Sequence, residues 1–160
     1  MALFRRAPAE VKALLTDRER PLAWSATAPD GWAVASSERL VCTAPDLAER
    51  WVTVLGASWA EPVLEVSLWR PTGVVVQRLR LLDGEVLPQV VRERIMQSLV
   101  VQQHVKISGR AGVRFLARRD PVTDEVTWQR VLDPGLDGAD PAVRAKIDEA
   151  LAVLRDTYGV

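Results

Sequence analysis

Between residues 21 and 82, apolar and polar side chains alternate with a period of two, the spacing that sends successive residues to opposite faces of a β-strand. Leu22, Trp24 and Ala26 alternate with Ala23, Ser25 and Thr27, and Pro29-Asp30-Gly31 makes a turn. Short strands are expected at 32–35 and 40–43, then at 51–55, with a bent strand through Ser58 and Trp59. Residues 63–69 alternate well, and Pro71-Thr72-Gly73 turns the chain into a strand over 74–82. Six or seven consecutive strands with short connections describe an antiparallel meander. Trp24 shares parity with Leu22 and Trp32 with Val34, so both are expected in the core, where an indole buries a large area. Trp59, close to a bend suggested by Gly56, is the aromatic expected at an exposed or interface position.

After Asp83-Gly84 the period lengthens. Leu87, Val91, Ile95 and Leu99 recur every four residues, which predicts a helix over 88–101 with Pro88 in its first turn. Alternation then returns. Val105 and Ile107 oppose His104, Lys106 and Ser108, Gly109-Arg110-Ala111-Gly112 turns the chain, and Val113, Phe115 and Ala117 oppose Arg114, Leu116 and Arg118. A turn over 120–124 leads through Val126 and Trp128 to Leu132, giving two hairpins in series. The expected register sets Arg118 opposite Glu125, Arg114 opposite Gln129, and Phe115 opposite Trp128 on a face buried by a helix. Asp140 as N-cap, Pro141 in the first turn and Gly159 as the stop bracket a C-terminal helix whose apolar face is Val143, Ile147, Leu151, Leu154 and Tyr158. A short helix is also expected near Pro8, with Val11, Leu14 and Leu15 on one side.

The fold class is therefore α+β: an antiparallel β-meander closed by a helix, followed by a three-strand extension and a C-terminal helix. One domain over 1–160 is expected, with a helical segment at 1–19, the meander and its helix at 20–103, and the hairpins and last helix at 104–160. Composition changes this picture little: 48% of the residues are hydrophobic and 26% charged, as in ordinary globular proteins. The 21 Lys+Arg balance the 21 Asp+Glu, which leaves no bulk field to draw nucleic acid or a membrane. Uncharged stretches fall well short of the ~20 residues of a membrane helix, and the first six residues do not form a secretory signal. With the lone thiol Cys42, this reads as cytoplasmic.

Candidate chemistry is sparse. Phosphate-binding glycine loops, nucleophile elbows and dinucleotide fingerprints are absent from the sequence. A single Cys and a single His make a zinc site improbable, so no metal and no cofactor are expected. His104 is expected at a helix C-terminus, where a cation is favoured, and Cys42 as a small buried hydrophobe. Charge is uneven, however: residues 86–119 hold seven basic against one acidic residue, and residues 120–160 four against nine. Period-two alternation aligns Lys106, Arg114 and Arg118 on one hairpin face with Arg110 at the turn, a surface able to hold an acidic peptide or a phosphate. The competing reading spends these residues on ion pairs within the sheet, such as Arg118 with Glu125.

The stretch GWAVASSERLVC is similar to the strand–turn–strand that opens many bacterial pleckstrin-homology-like domains. The meander closed by a helix resembles the same family over residues 20–103. ERPLAWSATAPDGWAVA, LPQVVRERI and DPGLDGADPAVRAKIDEALAVLR resemble stretches of uncharacterised actinobacterial proteins. The resemblance implies a scaffold for binding and no activity, and it carries over no lipid-binding signature. The resulting expectation is a non-catalytic binding or interaction domain whose partner is a protein or a second copy of the chain. The alternatives are a small enzyme of unrecognised type and an anion or nucleic-acid binder acting through the basic 106–118 hairpin.

Overall fold

The computed structural model describes residues 5–160; the first four residues of the N-terminal segment lie outside the described residues. The chain forms two compact units, one of residues up to Arg70 with Val74–Ser98, the other of Pro71–Gly73 with Leu99–Val160. Among the described residues no helix is long and apolar enough to cross a membrane. The class is α+β, with antiparallel sheets and a C-terminal helix.

In the first unit a short helix α1 (Ala9–Ala13) precedes seven strands: β1 (Pro21–Thr27), β2 (Gly31–Ser36), β3 (Arg39–Thr43), β4 (Asp46–Arg50), β5 (Val54–Ala60), β6 (Val63–Arg70) and β7 (Gly73–Arg80). They form two sheets, β1-β2-β3-β4 and β5-β6-β7, where the alternation alone suggested one meander. The sheets meet at an antiparallel bridge between Thr27 and Leu81, with the Ala28 amide donating to the Arg80 carbonyl (3.0 Å) and that of Leu82 to Ala26 (2.9 Å). Two strand expectations change. β4 was not foreseen, because Leu47 is its one buried side chain and a single apolar residue gives no period. The expected strand over 51–55 is instead a 3₁₀ turn, Trp51–Thr53, followed by the start of β5. Trp51 is fully buried there, and its indole Nε1 donates to the Ser36 carbonyl (3.0 Å). The bend foreseen at Gly56 is present as an irregularity in the β5–β6 register.

The core parity of β1 is the reverse of the expectation. Ala23, Ser25 and Thr27 are buried, while Trp24 is half-exposed and pairs with Val34, and Trp32 is likewise only half-buried opposite Ala26. Helix α2 (Leu87–Ser98) explains the reversal, because it packs on β1, β2 and β5 through Leu87, Val91 and Ile95. The layer beneath it is built of small residues, Ala23, Ala33 and Ala35, where indoles would not fit. The helix itself stops at Ser98, whose Oγ donates to the Ile95 carbonyl (2.8 Å), so the helix expected over 88–101 is shorter. Leu99, Val100 and Val101 already belong to the next strand, in keeping with the strand preference of β-branched side chains.

The second unit holds β8 (Leu99–Ser108), β9 (Ala111–Arg119), β10 (Val126–Leu132) and α3 (Pro141–Tyr158). The sheet order is β10-β9-β8, which leaves β8 at one edge. Helix α3 begins as the sequence predicts, with Asp140 Oδ1 accepting from the Ala142 amide (2.8 Å), and ends on Gly159 in the left-handed region at φ 68°. Val113, Phe115 and Ile147 are buried at the centre of this unit, with Val105, Ile107, Trp128, Leu151 and Leu154 packed around them half-covered. Phe115 and Trp128 do share the helix-covered side, but they are not opposite one another. Trp128 pairs with Ala117 and Phe115 with Arg130, a two-residue shift that preserves parity. The 120–125 loop causes the shift. Asp120 Oδ1 accepts from the Val122 (2.8 Å) and Thr123 (3.2 Å) amides, the Asp120 amide donates to the Glu125 carbonyl (2.9 Å), and the ladder resumes only at Val126 opposite Arg119.

Candidate binding site on the C-terminal sheet

The β8–β9 hairpin turns through Gly109, which adopts φ 59°, and it separates the four basic residues singled out from the sequence. Lys106 on β8, Arg110 in the turn and Arg114 on β9 are exposed. Arg118 is not: only 1% of its surface reaches solvent, and burial pulls its guanidinium down to about 10. It cannot present a charge to a ligand in solution. The expected cross-strand pairs are also absent, since Arg118 lies opposite Thr127, Arg114 opposite Val131 and Gln129 opposite Leu116. Glu125 sits in the loop, and Arg119 is the residue that reaches across it, to Asp124 Oδ1 (3.0 Å).

His104 lies in the middle of β8, opposite Arg114, because α2 ends six residues earlier than a helix-terminal histidine requires. Its Nε2 is 2.8 Å from Asp133 Oδ2, which also accepts from the Gly112 amide at 2.8 Å. These hydrogen bonds, from His104 first and Gly112 second, hold the Asp133 carboxyl below its ordinary range, with the Arg114 charge adding to the effect. The close packing requires glycine at 112. A Cβ there would stand 2.2 Å from the Val105 carbonyl oxygen and 2.9 Å from the His104 ring. The pair therefore clasps the β10 end onto the β8–β9 ladder. In this arrangement it leaves Lys106, Arg110 and Arg114 as the exposed basic set.

Beside this face lies a groove of about 350 Å³ between β8 and α3. Val105, Ile107, Ala150, Val153 and Leu154 give it apolar walls, and Lys106, Lys146 and Glu149 stand around it. Two facts produce it. β8 has a strand neighbour on one side only, and α3 covers the sheet incompletely, so that Ile147 is its one fully buried side chain while Leu151 and Leu154 stay half-exposed. The sequence alone does not connect α3 with β8. The signal was only the imbalance between a long apolar stripe on α3 and a three-strand sheet to receive it.

Other residues weighed from the sequence have structural settings. Trp59 is half-buried against the main core, and its ring packs so closely over Gly84 that a Cβ there would stand 2.2 Å away. Cys42 is buried between Ala33 and Leu47 on neighbouring strands, and burial pushes its thiol pKa up. Among the described residues no cluster of three His, Cys, Asp or Glu side chains is placed to hold a metal ion. No protein family matches this chain, and no curated protein or solved structure matches it either.

Proposed function

We propose that this chain is a non-catalytic cytoplasmic binding domain that takes an extended acidic protein segment as an added strand on the open edge of β8. The groove between β8 and α3 carries this reading. A strand laid along β8 would use its free backbone groups and send alternate side chains to the two faces of the sheet. On one face those side chains would meet Val105, Ile107, Val153 and Leu154; on the other they would meet the charges of Lys106 and Arg114, with Arg110 at the turn. The matching ligand alternates apolar with acidic residues. In this reading the basic set seen in the sequence acts through three of its members, and the buried Arg118 takes no part. Seven strands in sheets of four and three, bridged at Thr27–Leu81 and packed with α2, support a pleckstrin-homology-like reading of the first unit, with the binding edge outside it. A lone, buried thiol fits a reducing compartment.

The test is fluorescence anisotropy with a labelled eight-residue peptide of alternating valine and glutamate at low salt. The wild type should bind, Lys106→Glu combined with Arg114→Glu should weaken binding on the order of tenfold, and 1 M salt, where the Debye length is ~3 Å, should weaken both. A wild type that does not bind, or charge reversals without effect, would sink the reading.

A further inference from the structure

β7 is another edge strand among the described residues, and its chemistry differs from that of β8. β7 is the outer strand of the β5-β6-β7 sheet. Its far end is covered by β1, through the Thr27–Leu81 bridge and the hydrogen bonds of Ala28 with Arg80 and of Leu82 with Ala26. The stretch before that end has no strand on its outer side among the described residues, and it carries Val74, Val75 and Val76 with 43%, 40% and 48% of their surface exposed. Three consecutive valines expose apolar surface on both faces of one edge. Edges left open in native proteins are usually protected by charge, proline or a bulge, and residues 74–77 have none of these.

We infer that the Val74–Val76 edge of β7 is the contact through which two copies of this chain associate, pairing antiparallel about a two-fold axis at Val75. A second copy of the same edge matches it in apolar character and meets no opposing charge. With Val75 on the axis, Val74 of each copy faces Val76 of the other, Gly73 faces Gln77, and Arg78 falls opposite Thr72, so no like charges oppose one another. The closest cation, Arg78, is already engaged by Glu65 at 2.9 Å on the neighbouring strand. Pairing would join two three-stranded sheets into one of six and bring the valines of the two copies into cross-strand contact. It is independent of the β8 groove.

Sedimentation velocity over about 1–200 μM should show a monomer–dimer equilibrium, in keeping with a small interface. Val75→Lys sets two ammonium groups face to face and should weaken dimerisation on the order of tenfold or more, with the thermal midpoint followed in parallel. Val75→Cys provides the second readout, since Cys42 is buried and silent. Under mild oxidant it should form a disulfide-linked dimer much faster than Met96→Cys, an exposed control on α2. A wild type that stays monomeric throughout, a dimer unaffected by Val75→Lys, or crosslinking no faster than the control would overturn the inference.

Discussion

Both oxygens of the Glu19 carboxylate are occupied. Oε1 accepts from Ser36 Oγ (2.9 Å) and Arg39 Nε (2.7 Å), and Oε2 from the Thr16 amide (2.8 Å) and Arg39 Nη2 (3.0 Å). Burial by itself would raise the carboxyl pKa, but these bonds, led by Arg39, outweigh it and bring the value from 4.5 down to about 2. A depressed carboxylate adds stability that is fully present above its unfolded value and is lost as pH falls through the folded one. Chemical denaturation should therefore show stability declining from about pH 4.5 towards 2. Glu19→Gln should cost about 2–4 kcal/mol at pH 7, since it strands a partly buried Arg39, and much less near pH 2. An identical acid decline in wild type and variant would assign that loss to other carboxylates. The tryptophans supply a second comparison. Trp51→Ala removes a fully buried indole and its bond to Ser36, and should cost about 3–5 kcal/mol. Trp24→Ala, on a half-exposed face, should cost about 1–2 kcal/mol. Equal denaturation midpoints for the two would restore Trp24 to the core.

Helix α3 makes its own start and stop, yet it depends on the sheet for its burial. Asp140→Ala removes the side-chain acceptor for the Ala142 amide and should lower stability by about 1 kcal/mol. The helix in turn covers Val113 and Phe115, and the chain after it accepts the Trp128 indole bond at the Val160 carbonyl (2.9 Å). Truncation after Asp137 should therefore collapse the amide dispersion of β8–β10 in an NMR spectrum while β1–β6 keep theirs. Undisturbed β9 resonances would make α3 an accessory. Such coupling follows from the helix and sheet each having one apolar face and no other place to bury it.

At the scale of the whole molecule the two units differ in depth of core. Sixteen buried residues, from Ala23 to Ile95, form the cluster of the first unit, against Val113, Phe115 and Ile147 in the second. Burial on that scale sets how cooperatively a region opens. Native-state hydrogen exchange should find β8–β10 amides exchanging through lower-energy openings than those of β2, β3 and β6. Uniform protection across both units would mean a single cooperative fold.

Local periodicity and capping chemistry determined much of this protein. Asp140 and Gly159 bound α3 because caps act within one turn, and the β8–β9 hairpin is readable because Gly109 supplies its left-handed residue next to the strands. The parity of β9 and the α+β class came the same way, from residues that are neighbours in sequence. Tertiary structure decided what depends on distant partners. It chose which face of β1 is core, since α2 admits Ala23 and Ala33 there and excludes Trp24. It ended α2 at Ser98, and it shifted the β9–β10 register by two through the hydrogen bonds of Asp120. Arg118 shows the limit most directly: alternation places it beside Arg114 on one face, but strand parity says nothing about what covers each point of that face. Burial is a property of the assembled layers, and so the basic hairpin of the sequence became a three-residue surface beside a groove that α3 leaves open.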